Sequence, residues 1–231
     1  MTANRSAAPD RWFFTAMSAI ALIAAFAGFA PTYYLKAYFE TPALKPWVHV
    51  HAALFTIWIL LLLVQTQLIR TGQFHWHRTL GRTALAIAIL ILMTGILVIV
   101  GRPRAAPWER ANIVIPLVTM MLFPLFVAAA LRFRRDAATH KRLMLLATMM
   151  LLSAATARIL RFFDINPLPH LHYVATYVLM LVPLAIYDLA RMGKLHAATA
   201  WGGGILLARH VLHEMVAYSP QWQSAAAWLT S

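Results

Sequence analysis

Ten histidines and no cysteine bound the chemistry that this chain of 231 residues can offer. Without thiols, disulfides, thiolate metal sites, iron–sulfur clusters and covalent c-type haem are excluded. Histidine is left as the versatile residue, suited to metal, haem or proton handling. The most informative stretch is GKLHAATAWGGGILLARHVLHEM, residues 193–215. On a helix turning about 100° per residue, His196, Gly203, His210 and Glu214 fall within roughly 40° of one another. His196 and His210 then lie about 21 Å apart along the axis. That spacing lets one membrane helix ligate two stacked haems, one near each surface. Gly202, Gly203 and Gly204 remove bulk between them, so that a flat ring or a neighbouring helix can approach. Glu214, one turn from His210, is placed to orient a ligating imidazole through its second nitrogen. Hydrated histidines at the headgroup level and glycine-mediated helix packing account for the same residues without a cofactor. Both readings stay open at this stage.

Partners for those histidines come from other segments. In KPWVHVHAALFTIWILLLLVQTQLIR, His51, Trp58 and Gln65 recur every seven residues and share a helical face, whereas His49 points elsewhere. His51 is the expected external partner of His210. On the other side, HWHRTLGR and HKRLM offer His77 and His140 as partners for His196. His51, His210, His196 and His140 are thus candidate ligands of haem iron or copper, with His77 a further haem-binding candidate. Arg158 and Arg161, one turn apart and close to Asp164, suit haem propionates, acids of a quinone site or lipid phosphates. A plain ion-pair cluster with Asp164 explains them as economically. Lys141 and Arg142 read as solvated topology charges or headgroup contacts, with an anionic ligand second, and for Met120 and its fellow methionines lipid-facing or packing roles outweigh copper ligation.

These residues need a scaffold, and composition dictates it. The chain is 61% hydrophobic and 12% charged, against about a quarter charged in soluble domains. Apolar runs near the bilayer-spanning length of about 20 residues recur throughout. They fall at 12–34, 47–69, 80–101, 112–133, 141–163, 171–190 and 197–217, which predicts an all-α integral membrane bundle of about seven helices in a single domain, 1–231. ETPALKP, GRPRAAPWER and DINPLPH break the helices, and RTGQFHWHR, RFRRDAATHKR and RMGKLHA are basic connections. The first apolar run is longer than a signal-peptide core and reads as a retained span.

A net charge of +13 would suggest nucleic acid in a soluble protein, but here it predicts topology charges and contact with anionic headgroups. Twelve Lys and Arg residues share the side of the N-terminus and seven the other, with Arg209 inside the last span. The excess predicts a cytoplasmic N-terminus and an external C-terminus in a bacterial inner membrane. None of the seven acids sits in mid-span, so a proton-relay carboxylate is missing. No P-loop, GxGxxG, HExxH or nucleophile–base constellation is present. The last span has no lysine for a retinal Schiff base.

The blocks HVHAALFTIWILLLLVQTQL, HWHRTLGR, HKRLMLLAT and LHAATAWGGG resemble a family of bacterial polytopic membrane proteins known only as a domain of unknown function. The resemblance runs from the first span to the C-terminus and implies an inner-membrane helical fold. It brings no activity and no catalytic residue. More distantly, the helix-end histidines are similar in architecture to b-type cytochromes and to assembly factors of haem–copper oxidases. The expectation is a membrane redox protein that binds haem b and transfers electrons, with a quinone or respiratory-chain partner. Copper handling by an assembly factor, and a cofactor-free transporter or accessory subunit, are the alternatives. Small residues on the helices also admit a homo-oligomer.

Overall fold

A computed structural model describes residues 7–101, 113–165 and 171–229, and every described element is helical. Helix α1 (Ala7–Phe29) runs into a wider π-helical turn at Ala30–Tyr34. Then come α2 (Pro46–Arg70), α3 (Phe74–Gly81), α4 (Ala84–Val100), α5 (Val114–Arg132) and α6 (Ala137–Phe162). Helix α7 (Leu171–Thr176) joins α8 (Val182–Met192) through a second π-helical turn, Tyr177–Leu181. Helices α9 (Ala197–Ala217) and α10 (Pro220–Leu229) complete the chain.

Among the described residues, six helices are long and apolar enough to cross a membrane: Trp12–Tyr34, Pro46–Arg70, Phe74–Val100, Val114–Arg132, Ala137–Phe162 and Val174–Met192. The chain is therefore a multi-pass helical membrane protein. The expected seventh span forms as the 21-residue α9 but is not one of those six. Its sequence carries Arg209, His210, His213 and Glu214 in its second half, which dilutes its apolar character. The third span begins earlier than expected, because FHWHRTLG is itself helical and meets α4 at a short break where Thr83 Oγ1 donates to the Leu80 carbonyl at 2.7 Å.

Helix α6 is the hub. Residues Leu145 to Ser153 are buried without interruption, as expected of a helix surrounded by others. Asp136 caps its start, Oδ1 accepting from Ala138 N at 3.0 Å and Thr139 N at 3.3 Å. This bond set, led by the Thr139 hydroxyl, holds the Asp136 carboxyl below its usual range. Against α6, α1 crosses so closely that a Cβ on Gly28 would lie 2.6 Å from Ala155 Cα, a small-residue crossing of the membrane type. Helix α8 ends at Gly193, whose φ of 67° closes the helix in the left-handed region.

Cross-links between elements fix two faces. Asp10 meets Lys141 at 2.8 Å, and the Arg70 guanidinium lies over Trp12 at 4.4 Å. These contacts gather the start of α1, the end of α2 and the start of α6 on the N-terminal face. Lys45 donates to Gly101 O at 3.3 Å, and Arg158 lies over Phe29 at 4.4 Å, on the opposite face.

Candidate functional site

The N-terminal face holds a histidine pair. His77, from α3, and His140, from the first turn of α6, stand edge to face with ring centroids 6.4 Å apart. His140 Nδ1 is 2.8 Å from the Ala130 carbonyl oxygen. A carbonyl only accepts, so Nδ1 carries the proton and, in the neutral ring, Nε2 carries the lone pair. His77 lies against the Gln65 main chain, and its Nδ1 is buried without a hydrogen-bond partner. Both amide atoms of Gln65 are buried and unsatisfied as well. Buried polar atoms are normally paired; one nitrogen of the pair and both amide atoms of Gln65 are not.

The donor set limits what that is. Among the described residues no group of three or more His, Cys, Asp or Glu could hold a metal ion. Structural zinc asks for four protein donors. A pair of imidazoles instead suits haem, whose macrocycle brings its own in-plane donors. The two rings lie with centroids 6.4 Å apart and planes at 86°. In donor type, two neutral imidazoles suit the group.

His196 has a different task. Its Nδ1 accepts from Ala198 N at 3.1 Å, capping α9, and its own N–H donates to Asp188 Oδ2 at 3.1 Å. Burial and the nearby Arg142 charge lower its pKa, keeping the ring neutral as an acceptor must be. His196 thus serves as a helix cap through Nδ1, while the two rings in contact are those of His77 and His140.

Beside the pair lies a charge network that the sequence did not reveal. Arg142 is 2% exposed and Asp188 fully buried. Asp188 Oδ1 accepts from Arg142 Nε at 2.9 Å and Nη2 at 2.5 Å, while Arg142 Nη1 donates to Ala138 O at 2.8 Å. Arg142 is therefore an internal tie between α6 and α8, not a solvated topology charge. Asp10 bridges to Lys141 and, at 3.6 Å, to Arg191. Burial raises the Asp10 pKa, but bonds from Lys141 and Tyr187 outweigh it and hold the carboxyl below its ordinary value.

On the opposite face, His51 Nδ1 is 3.0 Å from Thr94 Oγ1 of α4, and Arg209 Nη1 donates to Thr119 Oγ1 of α5 at 2.5 Å. His210 and Glu214 belong to α9, but their side chains lie outside the described residues, so the expected His51–His210 pairing does too. The glycines between the expected ligands are filled by protein. A Cβ on Gly202 would sit 2.6 Å from Leu146 Cδ1, and one on Gly203 3.0 Å from Leu181 Cδ1. Gly202 and Gly203 serve helix packing. Arg158 donates to Ala154 O at 2.8 Å and covers Phe29, while Arg161 and Asp164 are both exposed.

The sequence signal for the pair was the two histidine-led blocks, and Gln65 on the His51 face pointed to the same end of the bundle. No protein-family model, curated protein or solved structure matches this chain.

Proposed function

We propose that this chain is a membrane redox protein of the bacterial inner membrane that binds b-type haem on the His77–His140 pair and transfers electrons. The observation that carries the reading is His140 Nδ1 held by the Ala130 carbonyl, 6.4 Å ring to ring from a histidine with a buried, unpartnered nitrogen. A main-chain carbonyl on the far nitrogen is how ligating histidines are commonly oriented. Bound haem would supply one-electron chemistry, its potential tuned by axial ligands and burial. The chain's own residues orient the ligands and shield the site: Ala130 fixes one imidazole, and Gln65 offers an amide donor and acceptor at its edge. The excess of Lys and Arg at this face supports a cytoplasmic placement, against anionic headgroups and within reach of a quinone or respiratory-chain partner. Copper handling is the second reading, favoured by the bare pair of imidazoles, which suits monovalent copper.

A reduced-minus-oxidised visible spectrum, with metal analysis of the same cofactor-replete preparation, tests this. A Soret band with about one iron per chain, lost in both His77→Ala and His140→Ala and kept in His196→Asn, is expected. A colourless, iron-free protein, or a Soret band that survives His140→Ala, overturns it. Copper without a Soret band, lost in both His77→Ala and His140→Ala, decides for the second reading.

A further inference from the structure

Arginines flank the His77–His140 pair on two segments. Arg78 follows His77 on α3, and Arg82 ends that helix one turn later. Beyond Ala130, whose carbonyl holds His140, the chain passes from α5 to α6 through Arg132, Arg134 and Arg135. All five arginines are exposed. The three described acids of this face are already engaged: Asp10 with Lys141 and Arg191, Asp188 with Arg142, and Asp136 with the first turn of α6. Among the described residues, no carboxylate forms an ion pair with any of the five. Depth decides what they meet. Helix α4 alone, 17 residues or about 26 Å long, nearly fills a hydrocarbon core of about 30 Å. Helix α3 therefore stands beyond that core, at headgroup level, where exposed aromatic rings such as Phe74 and Trp76 commonly sit. Phe133 is likewise exposed between Arg132 and Arg134.

We infer that α3 and the α5–α6 turn form a binding surface for the headgroup phosphate of an anionic phospholipid, bordering the histidine pair. Membrane topology is indifferent between Lys and Arg. All five cations here are arginine, whose planar fork takes two phosphate oxygens at once. Arg78 and Arg82 are four residues apart and share one side of α3. Asp136, spent on the start of α6, leaves the neighbouring Arg134 and Arg135 to outside anions. A lipid phosphate lies at the depth where these side chains emerge, and an anionic lipid brings the net charge that a zwitterionic one lacks. The inference does not depend on haem, because it uses only the arginines and their depth.

Purified full-length protein in detergent is titrated with phosphatidylglycerol and with phosphatidylcholine of the same acyl chains, and bound lipid is counted by native mass spectrometry. Phosphatidylglycerol should bind at least about tenfold more tightly, with a preference that shrinks as salt is added. Arg78→Gln and Arg134→Gln should each weaken phosphatidylglycerol about fivefold and leave phosphatidylcholine unchanged. Lys45→Gln removes the same charge from the opposite face and should leave both lipids as in the wild type. Glycerol phosphate at matching concentration should not compete, because it lacks the acyl chains that anchor the headgroup. Competition by glycerol phosphate, or an equal loss in Lys45→Gln and Arg134→Gln, overturns the inference. Equal binding of the two lipids also overturns it and leaves the arginines to an acidic protein partner.

Discussion

Replacing Asp188 by Asn leaves the Arg142 guanidinium buried opposite a neutral amide. In the native protein the carboxylate takes two N–H bonds from Arg142 and one from the His196 main chain, and neither charged group is more than 2% exposed. Breaking a buried pair by removing one partner costs about 3–5 kcal/mol, because the remaining charge is left uncompensated. Asn still offers an oxygen to His196 N–H and to one Arg142 donor, which places Asp188→Asn near about 3 kcal/mol. At about 2–4 °C per kcal/mol for a chain of this size, the unfolding midpoint should fall by roughly 6–12 °C. The assay is loss of near-UV circular dichroism on heating in detergent, with the double variant Arg142→Met/Asp188→Asn alongside. The double variant removes both charges while keeping the acceptor for His196, so it should recover most of the loss. A double variant as unstable as Asp188→Asn would refute the reasoning, since uncompensated charge would then not be the cause.

Two further perturbations follow from the same geometry. His196 has its pKa lowered from 6.5 in the folded state. Above that value both states are neutral; as pH falls below it the unfolded chain protonates first, and stability declines. His196→Asn keeps a capping acceptor without titrating there, so its midpoint should fall less than the wild type's between pH 7 and about pH 5; equal slopes would remove His196 from the account. Glycine-to-alanine changes should rank by what the new methyl meets. Gly28→Ala strikes the Ala155 backbone and should cost about 1–3 kcal/mol. Gly202→Ala meets the movable tip of Leu146 and should cost less, and Gly204→Ala meets nothing within 4 Å and should gain up to about 1 kcal/mol in helix propensity. Detergent melting of the three variants checks the order.

The helical fold was legible because membrane spans are specified by length and apolarity, properties local to each segment. Six expected spans recur as long apolar helices, and α9 forms over the anticipated residues. Pairings between segments were not legible, because they depend on rotation and depth. Lys141 and Arg142 are neighbours in sequence, yet Lys141 stays part-exposed beside Asp10 while Arg142, about 100° further round the helix, is sealed against Asp188. His196 lies one residue outside α9 and caps it through Nδ1, a role that periodicity did not suggest because it does not see helix ends.

The seven-residue spacing on α2 proved more informative than the fourteen-residue spacing on α9. His51 reaches Thr94 on α4, and Trp58 donates from Nε1 to Thr148 on α6 at 3.1 Å and stands edge-on to Phe123 of α5. Gln65 closes the series against Gly81 and His77. One face of one helix therefore looks into the bundle at three depths, over about 21 Å from His51 to Gln65. Trp58, 1% exposed and tied to the hub helix, fixes the rotation of α2. A rotation error there would turn His51 and Gln65 toward lipid together, because a helix turns as a rigid unit. The large apolar anchor between them sets the orientation of both polar ends, placing His51 against Thr94 and leaving the Gln65 amide buried without a partner.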